Sequence, residues 1–386
     1  MRNATYEAPT PKRLSLALRE RGVFKQLTNY LAPPCTQSNG PRRIATQETS
    51  MPLSITETNL RNLIDLLVQE SKLVVGPKLS GAIVLYQPLT SGAELTLDSL
   101  PRRSAKELYF PVCEDILTFK KENGKVKVED IDRSRFPETV LIGAPPCDAG
   151  SPAILDAVFS WDYHDDFYQE RRKKSTIIGI ACTKGDDACF CTAVGLAPDA
   201  QAGSDLFLTP LADGCYACVA VTEKGQTLVQ AHPALFSEAP AGEAIPFLDQ
   251  STGKLDLAKI KAWLEGHFED PLWESIADIC IGCGACAFIC PACHCFDIND
   301  EGSPDNGSRR KHWDACGFSK FTNHASGHNP RDIQNKRYRN RIMHKFKYYD
   351  DKFGKTLCTG CGRCIRACPV GIDIAEILTT INEKAD

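Results

Sequence analysis

A cysteine motif that occurs twice constrains this chain more than any other feature of its sequence. Both copies have the spacing C-x2-C-x2-C-x3-C-P, and they occupy residues 280–291 and 358–369. This spacing is typical of paired [4Fe–4S] clusters, in which three cysteines of one copy ligate one cluster and the fourth ligates the other. Small residues between the cysteines let the backbone approach a cluster and donate N–H hydrogen bonds to sulfur. The fold must therefore bring the two copies face to face.

The doubled motif assigns eight cysteines to two clusters. The first cluster takes three ligands from the first copy and one from the second, namely Cys280, Cys283, Cys286 and Cys368. The second cluster takes the converse set, namely Cys358, Cys361, Cys364 and Cys290. Zinc is the weaker alternative, because four-cysteine zinc sites join two C-x2-C pairs and have no use for a third cysteine or for the C-P ending.

Four further cysteines follow two predicted strands in the middle of the chain. Cys147 lies in Pro146-Cys147-Asp148 after one strand, and Cys182 follows the other. If these strands are parallel neighbours, their carboxyl ends meet at one edge of the sheet and bring the thiols together. One hypothesis is a third cluster, and the other is buried structural cysteine. The four residues concerned are Cys147, Cys182, Cys189 and Cys191.

The remaining cysteines have weaker patterns. Three lie close to the first motif copy or shortly after it, namely Cys293, Cys295 and Cys316. They are either alternative ligands or thiols that surround a cluster and tune its potential, and we favour the latter because eight ligands are already supplied. Four others are predicted to be ordinary residues, namely Cys35, Cys113, Cys215 and Cys218.

The number of cysteines bears on the compartment. The chain has 19 cysteines in 386 residues. No apolar segment has the length of a signal-peptide core or of a membrane span. We therefore expect a cytoplasmic protein, because metal ligation explains so many cysteines in a reducing compartment better than disulfide bonds do.

Hydrophobic periodicity predicts an α+β protein. Residues 1–50 are predicted to be a loosely ordered extension, with Met51 as an alternative start. Residues 51–245 are predicted to form a mixed α/β domain that carries the third group of cysteines. Residues 246–386 are predicted to form a mostly helical, α-helical ferredoxin-like domain with the two clusters, because helical periodicity surrounds the motifs and a long segment separates them.

Individual elements follow from the same patterns. A helix is predicted over residues 55–71, with Ser54 and Glu57 as its capping box. Its apolar residues recur at helical spacing at Leu60, Leu63, Ile64 and Leu67. Strands are predicted at residues 82–86, 139–143, 176–182, 205–209 and 215–222. Helices are predicted in the C-terminal region at residues 255–268, 272–280, 333–348 and 373–382, the last capped by Asp373.

A basic segment lies between the two motif copies. Residues 309–355 contain thirteen Lys and Arg against four Asp and Glu, although the whole chain has a net charge of −4. One interpretation is a nucleic-acid surface. The interpretation that we favour is compensation of the negative thiolate-bound clusters together with partner docking, for which Arg337, Arg339 and Arg341 are the first candidates.

The chain lacks the motifs of a self-contained redox enzyme. It has no G-x-G-x-x-G after a strand, no G-x4-G-K-[ST] and no H-E-x-x-H. We therefore expect no nucleotide or flavin site and no independent active site, so that electrons enter from one partner and leave to another. The alternatives of another class are an iron–sulfur regulatory or nucleic-acid-binding protein and a reductase with its substrate at an open cluster.

A series of short motifs resembles a known family. In order, they are Pro101-Arg-Arg-Ser-Ala-Lys-Glu, Phe110-Pro, Pro146-Cys-Asp, Cys189-Phe-Cys, Cys290-Pro-Ala-Cys-His-Cys-Phe-Asp-Ile, Trp313-Asp-Ala-Cys, Gly327-His-Asn-Pro-Arg and Arg341-x2-His-Lys-Phe. The series resembles the iron–sulfur β subunit of soluble sulfhydrogenase-type [NiFe] hydrogenases, and it is similar to the A subunit of anaerobic sulfite reductase. The likeness covers residues 51–386, and Pro146 stands where family members tend to have Arg.

The resemblance implies a function. It implies a cytoplasmic electron-transfer subunit that connects a flavin- and NAD(P)-binding subunit to a catalytic subunit, which holds the hydrogenase or sulfite reductase chemistry. From the residues themselves we expect no membrane partner, because no apolar segment is long enough to span a bilayer, and we rank protein partners above nucleic acid, because the basic segment lies between the cluster motifs.

Overall fold

The chain folds around a mixed eight-stranded sheet and a smaller antiparallel sheet. A computed structural model describes residues 53–238, 242–247 and 255–385. The strands are β1 Leu53–Thr56, β2 Leu73–Ser80, β3 Ile83–Pro88, β4 Cys113–Glu122, β5 Lys125–Asp130, β6 Thr139–Ala144, β7 Ser175–Ile180, β8 Leu206–Pro210, β9 Cys215–Ala220, β10 Ser237–Glu238, β11 Phe296–Gly302 and β12 Asn306–Trp313. The predictions for the extension over residues 1–50, for Cys35 and for Met51 lie outside the described residues.

The helices lie between these strands and after the last of them. The α-helices are α1 Glu57–Gln69, α2 Pro146–Ala149, α3 Pro152–Phe159, α4 Asp166–Lys173, α5 Glu223–Ala231, α6 Leu257–Gly266, α7 Leu272–Ala277, α8 Ala285–Phe288, α9 Gln334–Met343, α10 Tyr349–Phe353, α11 Arg363–Arg366 and α12 Ile374–Lys384. A π-helical turn, His344–Tyr348, joins α9 to α10. Short 3-10 turns are Gly92–Glu94, Ala105–Leu108, Arg133–Arg135, Thr192–Val194 and Pro233–Leu235.

The large sheet has the strand order β10-β1-β9-β8-β7-β6-β2-β3. Its four central strands, β2, β6, β7 and β8, pair in parallel, and its other pairings are antiparallel. The predicted strands at 139–143 and 176–182 are β6 and β7, which are direct parallel neighbours. The carboxyl ends that precede Cys147 and Cys182 therefore meet at one edge of the sheet, as predicted.

Helix α1 covers one face of this sheet. Its four predicted core residues, Leu60, Leu63, Ile64 and Leu67, are fully buried beside Val140, Ile142, Ile178 and Leu206 of the sheet. The opposite face packs Leu141 and Ile177 against Tyr109, Leu155 and Phe159. Burial on both faces explains why β6 reads as a continuous apolar run rather than an alternating one.

The predicted capping box of the first helix is wrong. Thr56 is the N-cap, and its hydroxyl accepts a hydrogen bond from the backbone N–H of Asn59 at 3.1 Å. Ser54 lies instead within β1, where its hydroxyl lies 3.1 Å from that of Ser237 on β10. The strand was missed because four residues are too few for a period of two to stand out from the helical pattern that follows.

The C-terminal region contains strands as well as the predicted helices. Strands β11 and β12 form a hairpin, and β12 pairs with β4 to give a second sheet of order β11-β12-β4-β5. Trp313 at the end of β12 donates its ring N–H to the carbonyl of Phe110 at 3.1 Å. The mostly helical prediction missed this hairpin because most of its residues are polar or charged and all of β11 is exposed. The predicted boundary between residues 245 and 246 stays a prediction.

The predicted C-terminal helices are present within a few residues of their expected ends. Asp373 caps α12 by accepting hydrogen bonds from the N–H groups of Ala375 at 2.7 Å and Glu376 at 3.2 Å. The predicted helix at 333–348 is α9, and it continues through the π-helical turn into α10. None of the helices in the described ranges is both long and apolar enough to cross a membrane.

Truncating Leu63 tests the packing of α1 against the large sheet. Leu63→Ala removes a fully buried side chain and leaves a cavity, so the free energy of unfolding should fall by about 2–5 kcal/mol. Leu66 lies on the same helix and is 37% exposed. Leu66→Ala, the matched control, should change the free energy by no more than about 0.5 kcal/mol in anaerobic urea unfolding. Equal losses in both variants would contradict this orientation of the helix.

Candidate metal centres

The cysteines predicted for the first cluster line one cavity. They are Cys280, Cys283, Cys286 and Cys368, and Cys316 and Cys364 lie on the same wall. The cysteines line a wall rather than converge on one point: among the described residues, no three His, Cys, Asp or Glu side chains lie close enough to share a single metal ion. Each of the eighteen cysteines in the described ranges is a free thiol.

Hydrogen-bond donors point at the sulfur atoms of this first set. The side-chain amide of Gln334 donates to Cys280 Sγ at 3.1 Å, and the backbone N–H of Ile372 donates to Cys368 Sγ at 3.2 Å. Donors of this kind stabilise a thiolate and raise the reduction potential of a cluster that it ligates.

The cysteines predicted for the second cluster are gathered deeper in the protein. Cys290 is buried, and its thiol interacts electrostatically with those of Cys358 and Cys364. Burial raises the pKa of Cys358 to about 11 and that of Cys364 to about 12. Deprotonated thiolates at these positions therefore need positive charge nearby, which a bound metal cluster or a buried cation supplies.

Three buried cations surround this second set. Lys345 donates to Cys290 Sγ at 3.3 Å and to the carbonyl of Leu357 at 2.8 Å. Arg341 and Lys106 donate to the sulfur and to the carbonyl of Cys293, at 3.7 and 2.9 Å. None of the three forms an ion pair with a carboxylate in the described part of the chain. Because an unpaired buried charge is costly, their counter-charge is the thiolates and the cluster that these would hold.

The thiols of Cys293, Cys295 and Cys316 pack around the predicted ligands. Cys293 is hydrogen bonded to Cys290, which raises the pKa of Cys293 and lowers that of Cys290, so Cys293 keeps its proton and donates. Cys295 is hydrogen bonded to Cys316 in the same way and lowers the pKa of Cys316 to about 6. These contacts fit thiols that surround a cluster, which is the alternative that we favoured from the sequence.

The third group of cysteines lines a separate cavity at the carboxyl edge of the large sheet. Its wall includes all four cysteines of the hypothesis, namely Cys147, Cys182, Cys189 and Cys191. A fifth cysteine on the wall, Cys361, belongs to the second motif copy and was not predicted there. The third group therefore adjoins the second set, which no sequence pattern indicated because the contact joins residues far apart in the chain.

Two glycines of the motifs lie where no side chain fits. Gly360 has a φ of +62°, and a Cβ there would lie 2.4 Å from Cys191 Cα. Gly284 has a φ of +73°, and a Cβ there would lie 2.5 Å from the ring of Phe318. The backbone N–H of Gly360 also points at Cys358 Sγ, at 3.4 Å. Glycine is therefore needed both for the turn and for the close approach that the motif predicts.

A buried ion pair connects the third group to the second motif copy. The guanidinium of Arg363 donates two hydrogen bonds to the carboxylate of Asp148, at 2.7 and 2.6 Å, and a third to the carbonyl of Pro101 at 3.1 Å. Tyr86 donates its hydroxyl to the same carboxylate at 2.8 Å. Asp148 directly follows Cys147, and Arg363 directly precedes Cys364. Neither Asp148 nor Arg363 is predicted from the sequence to have a role of its own, although both adjoin predicted ligands.

Several residues of the basic segment are buried. Arg339 donates to the carbonyl of Phe268 and to Glu269, and it lies over the Phe268 ring, so the prediction that it compensates a cluster is not supported by its contacts. Lys311 forms ion pairs with Glu114 and Asp165. These side chains and the buried Arg341 and Lys345 are not available to a phosphate backbone.

Comparison with known proteins agrees with the cysteine geometry. Residues 279–372 match the family described as the 4Fe-4S dicluster domain. The chain is 30% identical over 321 residues to sulfhydrogenase 2 subunit beta of Pyrococcus furiosus, an alignment that covers 80% of this chain and 92% of that protein. No solved structure matches the chain.

Removing one partner of the buried ion pair tests its contribution to stability. Asp148→Ala leaves the Arg363 guanidinium buried without its carboxylate, so the free energy of unfolding should fall by about 3–5 kcal/mol. The control is Glu129→Ala, which breaks an ion pair with Lys127 whose side chains are 60% and 67% exposed. It should cost less than about 1 kcal/mol. Similar losses in anaerobic urea unfolding of the two variants would contradict the role of the buried pair.

Neutralising Lys345 tests the electrostatics of the second set. Lys345→Met removes a positive charge beside Cys290 Sγ, so the reduction potential of the cluster that Cys290 is predicted to ligate should fall. The expected fall is on the order of 60 mV, the shift of a one-electron couple for a tenfold change in equilibrium constant. The measurement is a redox titration followed by electron paramagnetic resonance.

The matched control for this potential lies in the same helical turn. Lys347 donates to Asp351 at 2.9 Å and has no contact with a predicted ligand. Lys347→Met should leave the potential unchanged within error, and Lys345→Arg should restore most of it. An unchanged potential in Lys345→Met would show that the buried ammonium does not act on the cluster.

Proposed function

We propose that this chain, which belongs to the family of sulfhydrogenase β subunits, relays electrons between a flavin/NAD(P)-binding subunit and a catalytic subunit of the soluble [NiFe] hydrogenase type. The observation that carries the proposal is that the second motif copy contributes a cysteine to the wall of each of two cavities, Cys364 to that of the first set and Cys361 to that of the third group. A [4Fe–4S] cluster bound in such a site supplies one-electron transfer.

Two cysteines of the second motif copy make the series continuous. Cys364 lies on the wall of the first cavity, and its thiol also interacts electrostatically with Cys290 and Cys358 of the second set. Cys361, from the same copy, lies on the wall of the third cavity. Because the probability of electron tunnelling falls steeply with distance, sites that share wall residues suit a relay.

The chain's own residues have distinct roles in this proposal. The first three cysteines of the first motif copy and Cys368 would hold the first cluster, and the first three cysteines of the second copy and Cys290 would hold the second. Lys345 and Arg341 would compensate the negative charge that arrives with each electron, which favours the reduced state. The apolar surroundings of Cys290 would exclude water and lower the energy of reorganisation around the sites.

The third cavity supports an additional cluster at one end of the series. The observation behind this part of the proposal is five free thiols around one space, at the sheet edge where ligands commonly bind. Cys147, Cys182, Cys189 and Cys191 would be its ligands, because Cys361 is already assigned to the second set. The alternative of buried structural cysteine does not by itself explain why the thiols face a common cavity.

The proposed partners follow from what the chain lacks and from its family. Without a recognisable nucleotide motif, the chain needs a second subunit that exchanges hydride with NAD(P) through a flavin. The relative is named a sulfhydrogenase subunit, and a catalytic subunit of that kind would take up or supply electrons at the other end. We place the assembly in the cytoplasm, because a chain with nineteen cysteines, of which up to twelve are proposed cluster ligands, suits a reducing compartment.

The iron content tests the number of clusters. The anaerobically reconstituted full chain should bind about 12 Fe, because each of three [4Fe–4S] clusters holds four. Cys189→Ser should lower this to about 8 Fe and remove one set of electron paramagnetic resonance signals. The control Cys215→Ser, on strand β9, should retain about 12 Fe. A wild-type value of about 8 would leave the two-cluster relay and remove the third site.

Isolation of the native complex tests the partners. Anaerobic purification from the source organism with mass spectrometry and metal analysis should yield a nickel-bearing large subunit and a flavoprotein. A sirohaem subunit would instead assign the relay to sulfite reduction. Substrate turnover by the isolated chain, or co-purification with nucleic acid alone, would contradict the proposed relay.

A further inference from the structure

One edge of the first cavity reaches the protein surface. Cys283 is exposed, whereas the other three predicted ligands of the first cluster are half-buried. Ile279 and Ile333 directly precede the wall residues Cys280 and Gln334 and are 52% and 49% exposed, and Ile281 is 66% exposed. Ile281 also lines the cavity itself. Three exposed isoleucines around an exposed predicted ligand are unusual for a free surface and typical of an interaction site.

Unpaired positive charge borders this apolar edge. Arg337 lines the cavity and donates to Gln334 Oε1 and to the backbone carbonyls of Arg331 and Asp332, each at 2.9 Å. Neither Arg331 nor Arg337 forms an ion pair with a carboxylate in the part of the chain that the structure describes. Asp332 is already paired with Lys336 at 2.7 Å. The edge therefore has a net positive charge, despite the exposed Asp278 nearby in sequence.

The opposite end of the series has a different charge. Asp187 and Asp199 are exposed and adjoin the segments that contribute Cys189 and Pro198 to the wall of the third cavity. Lys184 in the same segment is also exposed, and Asp186 is paired with Arg366, so these side chains together leave a net negative charge. Two ends of opposite sign would select partners of opposite sign and would disfavour the reverse arrangement.

We propose that the exposed edge of the first cavity, formed by Ile279, Ile281, Cys283, Ile333 and the flanking Arg331 and Arg337, is the docking surface for an acidic electron-transfer protein or subunit. The inference deepens the proposed function and rests on it. The isoleucines would exclude water from the contact, and the arginines would steer a negatively charged surface onto it. One electron crosses: the donor is oxidised by one electron and the acceptor is reduced by one, with no bond made and no proton transferred.

Electron-transfer rates to carriers of opposite charge test this surface. The reduced holoprotein is mixed by stopped flow with oxidised flavodoxin, an acidic one-electron carrier, or with cytochrome c, a basic one. The double variant Arg331→Glu, Arg337→Glu should slow the reaction with flavodoxin at low salt by about tenfold or more and should speed up the reaction with cytochrome c. The wild-type rate with flavodoxin should fall as the salt concentration rises.

Two further variants keep the test sharp. Because Arg337 also positions Gln334 beside Cys280, the variant Arg331→Glu, Lys336→Glu reverses charge at the same edge without removing that contact. This variant should also slow the reaction with flavodoxin. The matched control Lys120→Glu, Lys127→Glu reverses two side chains on the small sheet that are 65% and 67% exposed, and it should leave both rates within about twofold.

The outcomes separate the docking surface from the relay. Normal iron content and normal resonance signals in each variant establish that the clusters are intact before rates are compared. If the rate with flavodoxin changes only in the double variant Asp187→Lys, Asp199→Lys, or in none of the variants, the proposed docking surface is wrong, although the proposed relay still stands. If the wild-type holoprotein takes up no electron reversibly, the relay is wrong and the docking surface falls with it.

Discussion

The ion pair between Asp148 and Arg363 is the contact on which the order of the cysteine sets depends. It joins α2, the short helix after β6 that carries Cys147, to α11, the helix that carries the middle of the second motif copy. A buried guanidinium and carboxylate tolerate almost no displacement, because either charge alone is costly in the interior. The backbone bond from Phe190 to Gly360 at 2.8 Å fixes the same junction from another side. Together these contacts hold the edge of the large sheet against the second cysteine motif. The α/β part of the chain and the cysteine motif therefore form one site.

Charge balance links the cofactors to the fold. The buried ammonium and guanidinium groups of Lys106, Arg341 and Lys345 find sulfur atoms and carbonyls, and no carboxylate among the described residues neutralises them. A protein without its clusters would bury three cations close to thiols such as Cys358 and Cys364, whose pKa burial raises, and this is an unfavourable state. We therefore expect cluster insertion and completion of the core around Cys290 to be coupled, as metal binding and folding are in small metal-binding domains. In this view the clusters belong to the hydrophobic core as much as to the redox chemistry.

Sequence reasoning was strongest where the chemistry is local. The spacing of the doubled motif was enough to identify the cysteines of the first cavity, and the two parallel strands were enough to bring Cys147 and Cys182 to one edge. It failed where the contact is non-local or the pattern is short. The shared position of Cys361, the pairing of Asp148 with Arg363 and the burial of Arg339 each depend on residues far away in the chain, which no periodicity encodes. The hairpin of β11 and β12 was not predicted because most of its residues are polar or charged, which leaves little hydrophobic alternation.

That hairpin also has a consequence for how the protein is made on the ribosome. Strand β4 ends at Glu122, but its partner β12 begins at Asn306. At a synthesis rate of 5–20 residues per second, β4 and β5 wait roughly 10 to 40 s for the strand that completes their sheet. During that time they present an unpaired edge, and the large sheet lacks the arginine that neutralises Asp148. The nascent chain is therefore most exposed to wrong pairing before its cysteine-rich end emerges, and a chaperone that shields the edge of β4 would act in that interval.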